Sequence, residues 1–182
     1  YAMRGPIVFS NSIQKQTENF ILFQYLETAS EAEVERVCHA LKKDIKDQNW
    51  IRWNGSGDLI PGSVRVINKF AELYPNVIQW VISRKPAMIA TLSDHKAIRL
   101  LVSLDETTPV AVATKLRAMK AFFKKTKVKL SYIRTAEQQK IPNGISIVFN
   151  EHIGTKRLAH SDKRTCHATV AGNTHEDSCD TC

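Results

Sequence analysis

Between residues 50 and 149 the chain alternates short apolar runs with segments of helical period, and this alternation narrows the fold more than any other feature. The runs are 50–54, 77–82, 98–104, 128–133 and 144–149. Each is nearly continuous in apolar or β-branched residues, as strands are when helices cover their sheet. Between them Pro61 opens a helical segment with Val64, Ile67, Phe70, Ala71 and Leu73 on one face, and Pro75–Asn76 closes it. A short helical piece follows Pro86, and Pro109 opens a helix with Val112, Leu116, Met119 and Phe123 on one stripe. Phe122 falls beside that stripe and is expected on the same apolar side. Strands alternating with helices at this spacing predict parallel βα units. Right-handed crossovers then curve the sheet. The expected fold is α/β, a partial, open βα barrel of about five parallel strands with helices outside.

Two helices precede the first strand. Residues 11–27 place Ile13, Phe20, Ile21 and the following aromatics on one side. Ser30 is a good N-cap for the next, with Glu33 three residues on as a capping box wants, and that helix should bury Val34, Val37, Cys38, Leu41 and Ile45. From Asn150 onward periodicity disappears. The chain therefore divides into a barrel over 1–150 and a cysteine-containing tail over 151–182 that reads as metal-binding.

Composition sets the outer bounds. With 182 residues, 43% hydrophobic, and only 7 Gly and 6 Pro, the chain can bury a sizeable core and is neither collagen-like nor disordered. No apolar run approaches the roughly 20 residues of a membrane-spanning helix. No charged-then-apolar leader is present, so there is no secretion signal to read; the expected location is cytoplasmic, with no membrane. The chain starts at Tyr1 and ends on Cys182, which completes a CxxC pair, and a fragment of a longer protein is expected.

In such a sheet, ligands gather at the carboxyl ends of the strands. The turn Gly55-Ser56-Gly57-Asp58 is the strongest candidate there: two glycines let a backbone approach a ligand, and Asp58 can receive an ammonium or hydroxyl group. A tight turn preceding a helix would look the same. Ser83, Arg84, Ser103, Asp105, Glu106, Arg134, Asn150 and Glu151 follow or end the other strands, and Arg84, Asn150 and Glu151 are the candidate pocket residues.

The cysteines are a sharper signal. Cys166, Cys179 and Cys182 are spaced C-x12-C-x2-C, three of four ligands for a tetrahedral metal. His167 or His175 can complete a zinc site, and an iron–sulfur cluster fits equally well. Cys38 sits on an apolar helix face and reads as core. His39 and His95 read as surface or capping residues.

The net charge of +8 is uneven, since Lys115, Arg117, Lys120, Lys124, Lys125, Lys127, Lys129 and Arg134 fall within one stretch without an acid. Such a field attracts phosphate backbones. Nucleic-acid binding through Lys115 to Lys129, in a zinc-containing protein, is one alternative function; a solvated helix face is the simpler one. No GxSxG, Walker A, HExxH or dinucleotide fingerprint occurs.

Three segments together resemble a family of phage and prophage proteins, the gene product eighty-eight type. They are Tyr1-Ala-Met-Arg-Gly5, Ile51-Arg-Trp-Asn-Gly-Ser-Gly-Asp-Leu59 and Cys179-Asp-Thr-Cys182, with Trp80 and the pair Ser83-Arg84 between them. The resemblance implies an architecture like that of radical S-adenosylmethionine enzymes. It implies a 4Fe–4S cluster held by a cysteine loop ahead of Tyr1, the cofactor's amino group on Gly55–Asp58, and an auxiliary cluster or zinc on the tail cysteines. The substrate would be an unknown small molecule or a nucleic acid. A third reading is a transglycosylase-like barrel that modifies a nucleobase, with Asp58, Asp105 and Glu151 as its carboxylates.

Overall fold

A computed structural model describes residues 10–53, 58–136, 139–150, 152–153 and 156–157. Helices α1 (Ser10–Leu26) and α2 (Glu31–Ile45) lead into β1 (Trp50–Arg52), α3 (Pro61–Leu73), β2 (Ile78–Ser83) and α4 (Pro86–Ile89). They are followed by β3 (Ile98–Leu104), α5 (Val110–Phe122), β4 (Lys127–Arg134) and β5 (Ile147–Asn150). The five strands form one parallel sheet in the order β1-β2-β3-β4-β5, an open half-barrel as the alternation predicts. Two short antiparallel strands, β6 (His152–Ile153) and β7 (Lys156–Arg157), follow in a stretch that carries no strand pattern.

Local chemistry starts the helices. The Ser30 hydroxyl accepts from the Glu33 N–H at 3.3 Å while the Glu33 carboxylate accepts from the Ser30 N–H at 2.9 Å, a complete capping box at α2. At α3, Pro61 occupies the first turn and the Ser63 hydroxyl accepts from the Ile60 N–H at 3.0 Å.

Strand alternation then sorts the two faces of the sheet. Val81, Leu100, Val102, Leu130 and Val148 share one core with Val34 and Cys38 of α2, Val66 and Phe70 of α3, Ile89 of α4 and Leu116 of α5. All four helices thus cover the same face, the outcome expected when strands follow one another in order through crossovers of one hand. On the opposite, inner face Leu101 and Ile147 are buried with Trp80, Ile82 and Phe149 packed against them. Trp50 and Trp53 part as their parity demands: Trp53 is buried against Phe70, whereas Trp50 is 43% exposed.

One expectation is corrected. Phe122 is 57% exposed and only Phe123 enters the core, because α5 ends there and the backbone turns extended at Phe123. On α1, Leu26 is buried and Phe23 packs against the core, but Ile13, Phe20, Ile21 and Tyr25 are about half exposed. The last turns of α1 are the part that meets α3, so the apolar residues of its earlier turns find no described neighbour of comparable reach.

Candidate functional site

The carboxyl ends of β1 to β4 carry a connected polar rim. It begins at Asp58, in the loop that joins β1 to α3. One Asp58 oxygen accepts from the Leu59 N–H at 2.7 Å and from the Ser83 hydroxyl at 2.5 Å; the other accepts from the Arg84 N–H at 3.2 Å. The end of β2 is thereby tied to the loop after β1. The Arg84 guanidinium continues the rim to the end of β3, donating from Nη1 to Asp105 Oδ2 at 2.7 Å. The other Asp105 oxygen accepts from the Thr107 N–H and hydroxyl and from the Thr108 hydroxyl. Burial pushes the Asp105 carboxyl upward, but the Thr107 and Thr108 donors and the Arg84 cation outweigh it and hold the group below its ordinary value.

Glu106 carries the rim to β4. Its carboxylate accepts from Gln139 Nε2 at 2.7 Å and from the Thr135 hydroxyl at 3.3 Å. Gln139 Nε2 also donates to the Tyr132 hydroxyl at 3.1 Å. Burial, then the nearby Glu106 and Asp105 charges, raise the Tyr132 phenol above its ordinary value, so it stays protonated. Arg134 is buried at the end of β4. Beside the rim lies a cleft of about 530 Å3, floored by Leu59, Ile60, Pro86, Met88 and Val112, with Arg84 and Lys85 at its edge. Lys85 Nζ donates to the Leu59 carbonyl at 3.0 Å.

The predicted site residues are distributed as follows. Asp58 and Arg84 stand side by side on the rim. Asn150 ends β5, while Gly55, Ser56, Gly57, Glu151, Cys166, Cys179 and Cys182 lie outside the described residues. Among the described residues no group of three His, Cys, Asp or Glu side chains could hold a metal ion. Cys38 is core, as its helix face suggests: its thiol lies 3.7 Å from the Val66 carbonyl and burial pushes it up to about 12. His95 has a capping role, its Nδ1 accepting from the Ala97 N–H at 3.2 Å.

The basic run is divided. Lys115, Arg117 and Lys120 are exposed on α5, on the helical side of the sheet. Lys124 and Lys125 sit in the following turn, and Lys127 and Lys129 alternate with the core residues Val128 and Leu130, so they belong to the inner face. Tyr132, Thr135 and Gln139 are rim residues that the sequence does not single out. Tyr132 has a positional signal, a polar tip near the end of an apolar strand, but Gln139 has none.

No helix among the described residues is long and apolar enough to cross a membrane. Neither the curated proteins nor the solved structures contain a match to the chain. The family model described as Gene product 88 matches residues 1–182, the whole length, so the chain belongs to the phage-type Gene product 88 family.

Proposed function

We propose that this protein holds S-adenosylmethionine at the carboxyl rim of its half-barrel, as the cofactor-binding part of a radical-type iron–sulfur enzyme. The observation that carries this reading is the position of Asp58: an acidic, glycine-preceded loop after the first strand, fixed across the end of the second by Ser83 and the Arg84 N–H.

The rim suits the amino-acid end of that cofactor. An ionised carboxylate offers about four acceptor positions. Leu59, Ser83 and Arg84 fill three, which leaves one on Oδ2 for an ammonium group. The Arg84 side chain is 43% exposed and commits Nη1 to Asp105, so its other donors can take a carboxylate. The cleft floor between Leu59 and Met88 is apolar and can exclude water from an adenosyl group. When bound, the cofactor would bring its sulfonium and adenosyl group to the rim; the chain's part is to bind, orient and shield them.

The described residues do not fit the cluster. Cys38 is the one described cysteine, and its raised thiol is unsuited to ligation. No step is therefore drawn through a cluster, and Cys166, Cys179 and Cys182 are the proposed ligands of a metal centre, iron–sulfur or zinc.

Anaerobic calorimetric titration of S-adenosylmethionine into the full chain tests the reading. Arg84→Met, at an exposed position, and Asp58→Asn should each weaken binding roughly tenfold or more, the loss of one charge-assisted hydrogen bond. Near-ultraviolet circular dichroism establishes that each variant is folded. Absence of heat at millimolar cofactor, or unchanged affinity in both folded variants, defeats the proposal. Iron, sulfide and zinc assays should show that changing Cys166, Cys179 and Cys182 to Ser removes the bound metal.

A further inference from the structure

The inner face of the sheet carries a lateral row that a barrel interior would not ordinarily hold. Arg52 of β1 is in register with Trp80 of β2, Trp80 with Arg99 of β3, and Arg99 with Lys127 of β4. Strand neighbours lie about 4.8 Å apart, so the row spans roughly 14 Å across four strands. All four side chains belong to the same face, because each alternates with residues of the helix-covered core: Ile51, Val81, Ile98, Leu100 and Val128. Arg52 and Lys127, at the two ends, are exposed, and Trp80 and Arg99, between them, are half-buried. The Arg99 guanidinium lies over the Trp80 ring, 5.3 Å from its centroid.

Among the described residues, the cations of this row share one sheet face and lack the carboxylate partners that some cations elsewhere have. Arg65 and Lys69 are paired with Glu31, and Arg84 with Asp105. Among the described residues no carboxylate stands within ion-pair distance of Arg52, Arg99 or Lys127. Layers of apolar branched side chains fill the interior of a closed barrel. Three cations in one layer repel one another and exclude such packing unless anions offset them.

We propose that this row is a binding surface for single-stranded nucleic acid, with Arg52, Arg99 and Lys127 on successive phosphates and Trp80 against a base. A positive track with an aromatic platform is the arrangement that takes a single strand without regard to sequence. It favours a single strand over a duplex because Trp80 lies within the sheet face, where an unstacked base can reach it and a paired base cannot. The surface lies on the inner face, opposite the α5 cations, and nears the carboxyl rim only at Arg52, the last residue of β1.

Fluorescence anisotropy with a labelled 15-nucleotide oligothymidylate and the full chain tests this. The triple variant Arg52→Gln, Arg99→Gln, Lys127→Gln should bind at least thirtyfold more weakly at low salt, and the slope of log affinity against log salt should fall by about 2. Trp80→Leu should cost roughly tenfold and abolish the quenching of tryptophan fluorescence by the strand. The α5 variant Lys115→Gln, Arg117→Gln, Lys120→Gln should change affinity less than threefold. The inference is overturned if the row variant binds like the wild type, if the α5 variant is the one that loses binding, if a duplex binds equally well, or if thymidine monophosphate displaces the strand at equal concentration. Circular dichroism of the row and Trp80 variants should match the wild type. If either fails to fold, single substitutions at the exposed Arg52 and Lys127 must each weaken binding, and unchanged affinity in both overturns the inference.

Discussion

At the residue scale, single carboxylates hold loops together at both ends of the sheet. Asp94 accepts from the backbone N–H groups of Lys124, Lys125 and Thr126 at 3.0, 2.8 and 2.7 Å, joining the segment before β3 to the segment before β4. The Thr126 N–H is the largest cause of its lowered pKa; burial opposes it and the other two N–H groups add to it. Because the folded value lies below the unfolded one, near 3.9, the stabilisation is complete above about pH 5 and is lost as pH falls through the depressed folded value. Asp94→Asn should therefore lower the urea midpoint at pH 7. The gap to the wild type should close progressively below about pH 4, as the unfolded chain takes up a proton at this carboxyl, until the native carboxylate protonates as well. A gap that stays constant from pH 7 to pH 3 would show that charge is not the cause. Asp58 does comparable work at the other end; its flanking glycines and its place after a strand single it out in the sequence, but a tight turn preceding a helix would read the same. Only the spatial neighbours, three N–H groups in one case and Ser83 with Arg84 in the other, distinguish a loop tie from a rim that can also meet a ligand.

At the scale of elements, the docking of α1 rests on a close backbone approach. A Cβ at Gly62 would lie 1.8 Å from the Phe23 carbonyl oxygen, a backbone atom that cannot swing aside. Gly62→Ala should push α1 off α3, uncover Leu26 and destabilise the fold by about 3 kcal/mol, read by urea denaturation. A loss below about 0.5 kcal/mol, the size of an ordinary surface change, would mean that α1 contributes little to the folded state. Strands and helices were legible because each has its own period and punctuation: Ile98–Leu104 and the helix opening at Pro61 stand where the pattern puts them. The apolar run 144–149 is longer than the strand it holds, since Gly144 sits at φ 83° in a turn and β5 begins only at Ile147. The facing of α1 was not legible. Its hydrophobic residues do not say which of them meet a neighbour, and the contact is set by a glycine on another helix. The candidate site was legible as a set of positions, the strand ends, but not as a network, because register between strands decides that Arg84 reaches Asp105.

At the scale of the whole molecule, sequential strand order and one-sided helices give a fold built from contacts between chain neighbours. Each strand pairs with the next, so the helix-covered core closes within residues 26–148. The second core cluster is small and lies on the inner face, where Leu101 and Ile147 are buried beside Trp80, Ile82 and Phe149. These two cores make different demands on the segment 151–182. If that segment is a separate metal-binding unit, a chain ending at Asn150 should keep the larger core, unfold in one cooperative thermal transition, and melt within about 5 °C of the full chain, a difference of order 1 kcal/mol. It should also lose the metal carried through Cys166, Cys179 and Cys182. If instead the shortened chain melts without cooperativity, or its tryptophan emission shifts to that of exposed Trp80, the inner cluster requires residues beyond Asn150, and a boundary there does not separate two units. The shortened chain retains Arg52, Trp80, Arg99 and Lys127, so its affinity for a single strand should survive the truncation, whereas a surface built from the tail's own cations would be lost with it.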